Sequence, residues 1–256
     1  VLGHAVIAIG ALWAGWRAAP QGTRVEVAAV MAGFRRNVPF WLSSVAMALS
    51  ANIDIWLAAR YLGEDTAGLY ALATRLALLL TFPLMVVNAI VPASISRLAG
   101  QGEMGTLERM LRLGATGASA LAFVGLVIYL VLGEWLLGLV FGTPYAAAWI
   151  MLVPLAIGLF LRTTMGSCAW ALNLLGGGGT VMTLSLIFLV LRIGLGPAAI
   201  ELQGAIGLAC VSGLLTVVLH AAMVYYLRRN HAIISMPRWG RPRDLLRELL
   251  RELRPK

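Results

Sequence analysis

The fold class predicted by the sequence is all-α: a polytopic membrane helix bundle, with a six-helix C-terminal lobe plus part of a preceding helix. Three observations predict it. Apolar residues make up 60% of the 256 and charged residues only 12%, where a soluble domain carries about 25%. The apolar residues gather into long stretches, several of about 20 residues, the length that crosses hydrocarbon. The 28 glycines suit close helix contact in lipid. A soluble all-helical core needs polar outer faces, and most of these stretches have none.

Segment A, 1–16, is "VLGHAVIAIGALWAGW". It reads as the end of a preceding transmembrane helix, in a chain that has lost its beginning. Residues 17–37 form a basic inter-lobe linker. The lobe occupies 38–227 as six segments: B 38–59, C 67–94, D 113–133, E 146–175, F 180–193 and G 203–227. Segment E is long, which implies a tilt, a bend or an overhang. Pro83 and Pro92 in C and Pro154 in E each remove a backbone donor and mark bends. "GATGASA" at 114–120, with Ala205, Ala209 and Gly213, offers small-residue faces for tight packing.

Basic residues set the orientation. Arg17, Arg24, Arg35 and Arg36 lie in the A–B loop, Arg97, Arg109 and Arg112 between C and D, and nine basic residues in 228–256. The loops at 60–66, 134–145 and 194–202 are poor in them and are expected outside. "GGGG" at 176–179 is then a tight cytoplasmic turn, and the C-terminus is cytoplasmic. Trp56, Tyr61, Tyr70, Trp135, Tyr145 and Trp149 fall near the outer interface, and Trp13, Trp16, Trp41, Tyr225 and Tyr226 near the inner one, as aromatic belts do. In the tail, "RDLLRELLRELRPK" sets five leucines on one helical side, with arginine and glutamate on the rest. That pattern suits a helix lying on anionic lipid and leaves a nucleic-acid arm unsupported.

Three ionisable residues fall deep in the apolar segments: Asp54 in B, Arg75 in C and Arg162 in E. A lipid-facing position for any of them costs several kcal/mol, so each is expected to face protein or a cavity. Asp54 and Arg75 lie at similar depth on adjacent helices, so an ion pair between them is expected. Asp54 is then a structural or coupling residue. Arg162 has no acid at its level in segments A–G, which makes it, with Arg75, a candidate lining residue for an anionic substrate. His220 reads first as a packing histidine, with a minor proton-relay role as the alternative. Cys168 and Cys210 read as inert buried thiols. No nucleophile–base spacing, metal motif or Walker lysine is present. The expectation is a non-enzyme with no catalytic residue, no metal and no cofactor.

The run "FWLSSVAMALSANIDIWLAARYLGEDTAGLYALATRLALLLTFPLMVVNAIVPASISRLAGQGE" resembles the second half of bacterial oligosaccharide flippases. These are the polysaccharide-biosynthesis branch of the multidrug/oligosaccharidyl-lipid/polysaccharide exporter superfamily. "FGTPYAAAWIMLVPLAIG" and "LGPAAIELQGAIGLACVSG" resemble the leads into that family's tenth and twelfth helices. The resemblance implies two lobes around a cationic cavity. It implies a transporter in the bacterial inner membrane that flips undecaprenyl-diphosphate-linked oligosaccharide by alternating access. It also implies three partners: the lipid-linked oligosaccharide, anionic membrane lipids under the tail, and a missing N-terminal lobe if the chain is a fragment. Nucleic acid is not among them. Two alternatives stay open: a cation-coupled drug antiporter of the same superfamily using Asp54, and a non-transporting membrane remnant or scaffold.

Overall fold

A computed structural model describes residues 27–237, with side chains from residue 38 onward except Phe40. Segment A, residues 17–26 of the linker and the leucine-striped tail lie outside the described residues. The chain divides into two compact units, Val1–Val38 and Pro39–Lys256. Of the first, only a helical backbone from Val27 is described. The second unit holds the rest of the described helices.

All regular structure among the described residues is helical. α1 is Val27–Leu62, α2 Glu64–Leu79, α3 Phe82–Gly100 and α4 Met104–Phe141. A 3₁₀ turn, Thr143–Ala148, leads into α5, Trp149–Thr164. The short α6, Cys168–Leu172, runs through a wide turn at Asn173–Gly177 into α7, Gly178–His231. Five helical stretches among the described residues are long and apolar enough to cross a membrane, and the longest of them contains two reversals.

The packing contacts give each rod its direction. The Tyr129 hydroxyl donates to the Leu76 carbonyl at 2.8 Å, Gly125 faces Leu80 and Gly114 faces Val87. α4 therefore runs antiparallel to α2 and α3 taken as one rod. α5 is antiparallel to α4, because the Trp149 indole donates to the Tyr129 carbonyl at 2.9 Å while Gly166 meets Ala115. Gly158 meets Gly213 and Cys168 meets His220, so α5 and the second arm of α7 run parallel. Gly178 faces Pro39 and Gly196 faces Leu57, so α1 and the first arm of α7 are parallel too. Six rods alternate in direction. Gly63, the 3₁₀ turn and Gln203 lie at one end, and Gln101, Gly176 and Ala232 at the other.

Several segments differ from the sequence expectation. Segment C is not one helix: α2 closes with tightened turns, the Leu80 and Thr81 amides bonding to the Ala77 and Leu78 carbonyls. α3 restarts with Pro83 in its first turn, where its missing N–H costs nothing. Segment D extends to 38 residues. Residues 194–202 are helical, not a loop. The F–G reversal instead sits at Gln203 and Gly204, which leave helical geometry. Pro197 stays within the helix, so F gains more than two turns over the predicted segment. Segment E breaks at Met165–Ser167 and not at Pro154. At the glycine run, Gly176 takes φ 95°, open to a residue without a β-carbon, and turns E back into F.

The bundle buries a small set of polar side chains within a mainly apolar core and exposes many large apolar ones. Asp54, Ser119, Thr163, Ser185 and Ser212 are buried, whereas Leu121, Val131, Val190 and Leu202 are exposed, Val131 by 73%. In water this arrangement forfeits the hydrophobic driving force. In hydrocarbon it removes polar groups from the only solvent that cannot pair them. Small residues hold the rods together: a β-carbon on Gly158 would come within 2.6 Å of the Gly213 Cα, so these backbones touch with nothing between them. Trp41, Trp56, Tyr61, Trp135, Tyr145 and Tyr225 are exposed, whereas Tyr70, expected in the outer aromatic belt, is fully buried.

Candidate functional site: a broken helix and two neighbouring cavities

Segment E is interrupted where it needs most help. α5 ends at Thr164, and Gly166 takes φ 66°, a left-handed geometry that favours glycine. The free end of a helix leaves carbonyls without amide partners. Here the Met165 and Gly166 amides fold back onto the Arg162 and Thr163 carbonyls at 3.0 and 3.1 Å. The Ser235 hydroxyl donates to the Met165 carbonyl at 2.8 Å. Ser235 reaches this point because Ala232, with φ 56°, reverses the chain after α7 and folds it against the bundle. Ile233 and Ser235 are buried there. On the far side of the break, the Ser167 hydroxyl donates to Asn88 Oδ1 at 2.6 Å, tying α6 to α3.

Arg162 stands in the last turn of α5, where the helix dipole favours a cation. Its guanidinium makes no ion pair and no side-chain hydrogen bond with any described residue. It borders two cavities. The smaller, about 120 Å³, extends past Ser185, Thr216 and His220 to Asp54 and Arg192. The larger, about 320 Å³, is bordered by Ser43, Asn88, Ser167, Trp170 and Asn173. Met47, Arg162 and His220 border both, so the arginine stands on the wall that the two share.

The Asp54 partner is not Arg75. Arg192 Nη1 donates to Asp54 Oδ2 at 2.6 Å and to the Ser50 carbonyl at 3.2 Å. Its Nη2 donates to the Ser212 carbonyl at 3.0 Å and to Thr216 Oγ1 at 2.9 Å. One guanidinium thus joins α1 to both arms of α7. Arg75 points elsewhere: it is exposed on α2, in no ion pair among the described residues, although its neighbour Thr74 borders the smaller cavity. Similar depth on adjacent helices does not make a pair, because rotation about the helix axis, which depth does not give, decides which side chains face each other. Arg192 went unrecognised because a window that stops F at Ile193 places it at a membrane edge. The signal was the apolar run "IGLGPAAI" beyond it.

His220 accepts or donates at Nδ1 with the Thr216 carbonyl, 2.8 Å away, and is 5% exposed. This bond along its own helix fits a packing histidine. Cys168 is buried, but Cys210 is exposed, which corrects the expectation of two buried thiols. Its small side chain lies on an outward face of α7, which apolar spacing could not distinguish from an inward one. Among the described residues no three histidine, cysteine or acidic side chains gather as a metal site.

No protein-family model, no curated protein and no solved structure matches the chain.

Proposed function

We propose that the chain is a lobe of a membrane transporter that moves an anionic, lipid-linked substrate, and that the substrate is a polyprenyl-diphosphate-linked oligosaccharide. The observation that carries this reading is Arg162: a cation without a partner among the described residues, at the end of a broken membrane helix and bordering two cavities. Such a charge is expensive inside a membrane and finds a partner when a diphosphate arrives, which a guanidinium can grip through two parallel hydrogen bonds. The polyprenyl tail stays in lipid while the head group passes between lobes. Arg75, exposed beside the cavity residue Thr74, extends the cationic face. The end bearing Gln101, Gly176 and Ala232 is the cytoplasmic one, since Arg97, Arg109, Arg112, Arg228 and Arg229 lie toward it.

A drug antiporter reading needs Asp54 free to bind a cation, yet Arg192 already holds one of its oxygens at 2.6 Å. The test is flipping of a lipid-linked oligosaccharide in reconstituted vesicles at matched protein levels. Arg162→Gln should lower the rate at least about tenfold, and Arg162→Lys, which restores charge but not the fork, should recover part of it. An unchanged rate in Arg162→Gln rejects the substrate role.

A further inference from the structure

His220 and Arg162 stand together on the wall that the two cavities share. A carbonyl only accepts hydrogen bonds, so the 2.8 Å contact with the Thr216 carbonyl places a proton on His220 Nδ1. In a neutral ring Nε2 is then the bare nitrogen. It makes no hydrogen bond among the described residues, and neither does the Arg162 guanidinium. These nitrogens keep accessible surface, unlike the buried and unpartnered Arg112 Nε. Asn88, on the wall of the larger cavity, accepts from Ser167 at Oδ1, which leaves its amide N–H groups as further donors. At about 320 Å³ that cavity falls in the size class of small-ligand sites.

We infer that Arg162 and His220 form a two-headed anion site that takes up one proton, on His220 Nε2, with each lipid-linked diphosphate it binds. The inference rests on the transport reading above and adds to it a second ligand-binding group and the ion taken up with the ligand. The proton passes from the buffer to the Nε2 lone pair, and no other bond forms or breaks. Two positive charges side by side repel, more strongly where water is scarce. A dianion between them removes that repulsion and gives the new N–H an oxygen to meet in a charge-assisted hydrogen bond. The second head also matches the second negative charge, which Arg162 alone leaves unbalanced. The other charged or titratable groups around the ring are already engaged or turned away. Cys168 on α6 meets the His220 carbonyl and not the ring. Asp54 on α1 and Arg192 on the first arm of α7 hold each other at 2.6 Å, and Asn88 on α3 does not titrate.

The probe is farnesyl methyl diphosphate, a diester whose charge does not change across neutral pH, so any proton taken up goes to the protein. Affinity and proton uptake are measured by calorimetry in buffers of different ionisation enthalpy, with the whole chain in lipid nanodiscs. The bound state holds more protons, so affinity should fall as pH rises, by about tenfold between about pH 6 and 7.5. His220→Gln offers an N–H that does not titrate. It should bind with the same affinity across that range and take up no proton. His220→Asn, whose amide can keep the bond to Thr216, should also take up none and serves where His220→Gln does not fold. Arg162→Gln should weaken binding at every pH. Dimethyl diphosphate, equally charged and without the chain, should bind more weakly than the farnesyl ester, and tighter binding overturns the lipid-linked assignment. If the wild type takes up no proton, or the His220 variants still take one up, the proton site is rejected, while weaker binding by Arg162→Gln leaves the transport reading standing. If the farnesyl ester does not bind, or Arg162→Gln changes nothing, both fall together.

Discussion

Arg162 and Arg192 are both inside the bundle, both on membrane helices, and both border the same small cavity, yet they are bonded in opposite ways. Arg192 spends its donors on four oxygens from two helices, α1 and α7, including a carboxylate. Arg162 has no such partner among the described residues. The first arrangement answers the cost of burying a charge within the fold itself. The second leaves that cost outstanding. A saturated cation is a joint, and on the transport reading proposed above an unsaturated one facing open space is a receptor. The difference follows from where each helix is whole. Arg192 is held inside continuous helix, with α1 alongside, whereas Arg162 sits at an end, where α5 stops and the facing space stays open.

The widest gap between the two should appear in stability. Asp54→Leu or Arg192→Met alone strands the other charge and should cost about 3–5 kcal/mol. The double replacement should recover much of that loss. Thermal unfolding in detergent checks it, and singles as stable as the double would break the claim that Arg192 is a joint. Arg162→Met should go the other way and leave the unfolding midpoint unchanged or raised, since no partner is stranded. A clear fall would reveal a hidden acid and undo the comparison.

Gly158→Val tests whether the cavity wall depends on close backbones. Its side chain collides with Gly213 backbone atoms, which cannot rotate away, so a loss of about 1–3 kcal/mol is expected. Equal stability would mean that α5 and α7 slide apart freely. The smallest effect is assigned to Ser235→Ala. It removes one hydrogen bond to the Met165 carbonyl, a loss of about 0.5–1.5 kcal/mol. Hydrogen exchange at Gly166 and Ser167 should rise before exchange does in α4. Uniform exchange would show that the break does not depend on this cover.

Much of the architecture was legible in the sequence because hydrocarbon imposes a simple rule: long apolar stretches cross, and basic residues gather on alternate sides. Segments B, D and G correspond to α1, α4 and the second arm of α7, and the glycine run does reverse the chain. The small-residue face was legible too, since Gly213 meets Gly158. Helix interruptions were harder. Pro92 and Pro154 marked bends, but neither interrupts its helix, because a membrane helix tolerates one missing donor when neighbours hold it. The actual break, at Gly166, follows from left-handed geometry that a single glycine among 28 does not advertise. The site was legible in part. Asp54 and Arg162 stood out as charges in apolar surroundings, whereas the Arg192 pairing depended on a helix rotation that only tertiary packing fixes.

The Ser235 contact also sets an order of events during synthesis. Chains are made from the N-terminus at roughly 5–20 residues per second, and Ser235 follows Met165 by 70 residues. For roughly 4–14 s the break in segment E therefore exists without its cover, while α7 is still being made. Whatever shields the Met165 carbonyl in that interval belongs to the insertion machinery, to water or to lipid head groups, and not to the finished protein. A tag fused directly behind His231 would prolong that state indefinitely, whereas one placed after Met236 leaves the last piece of the fold free to dock.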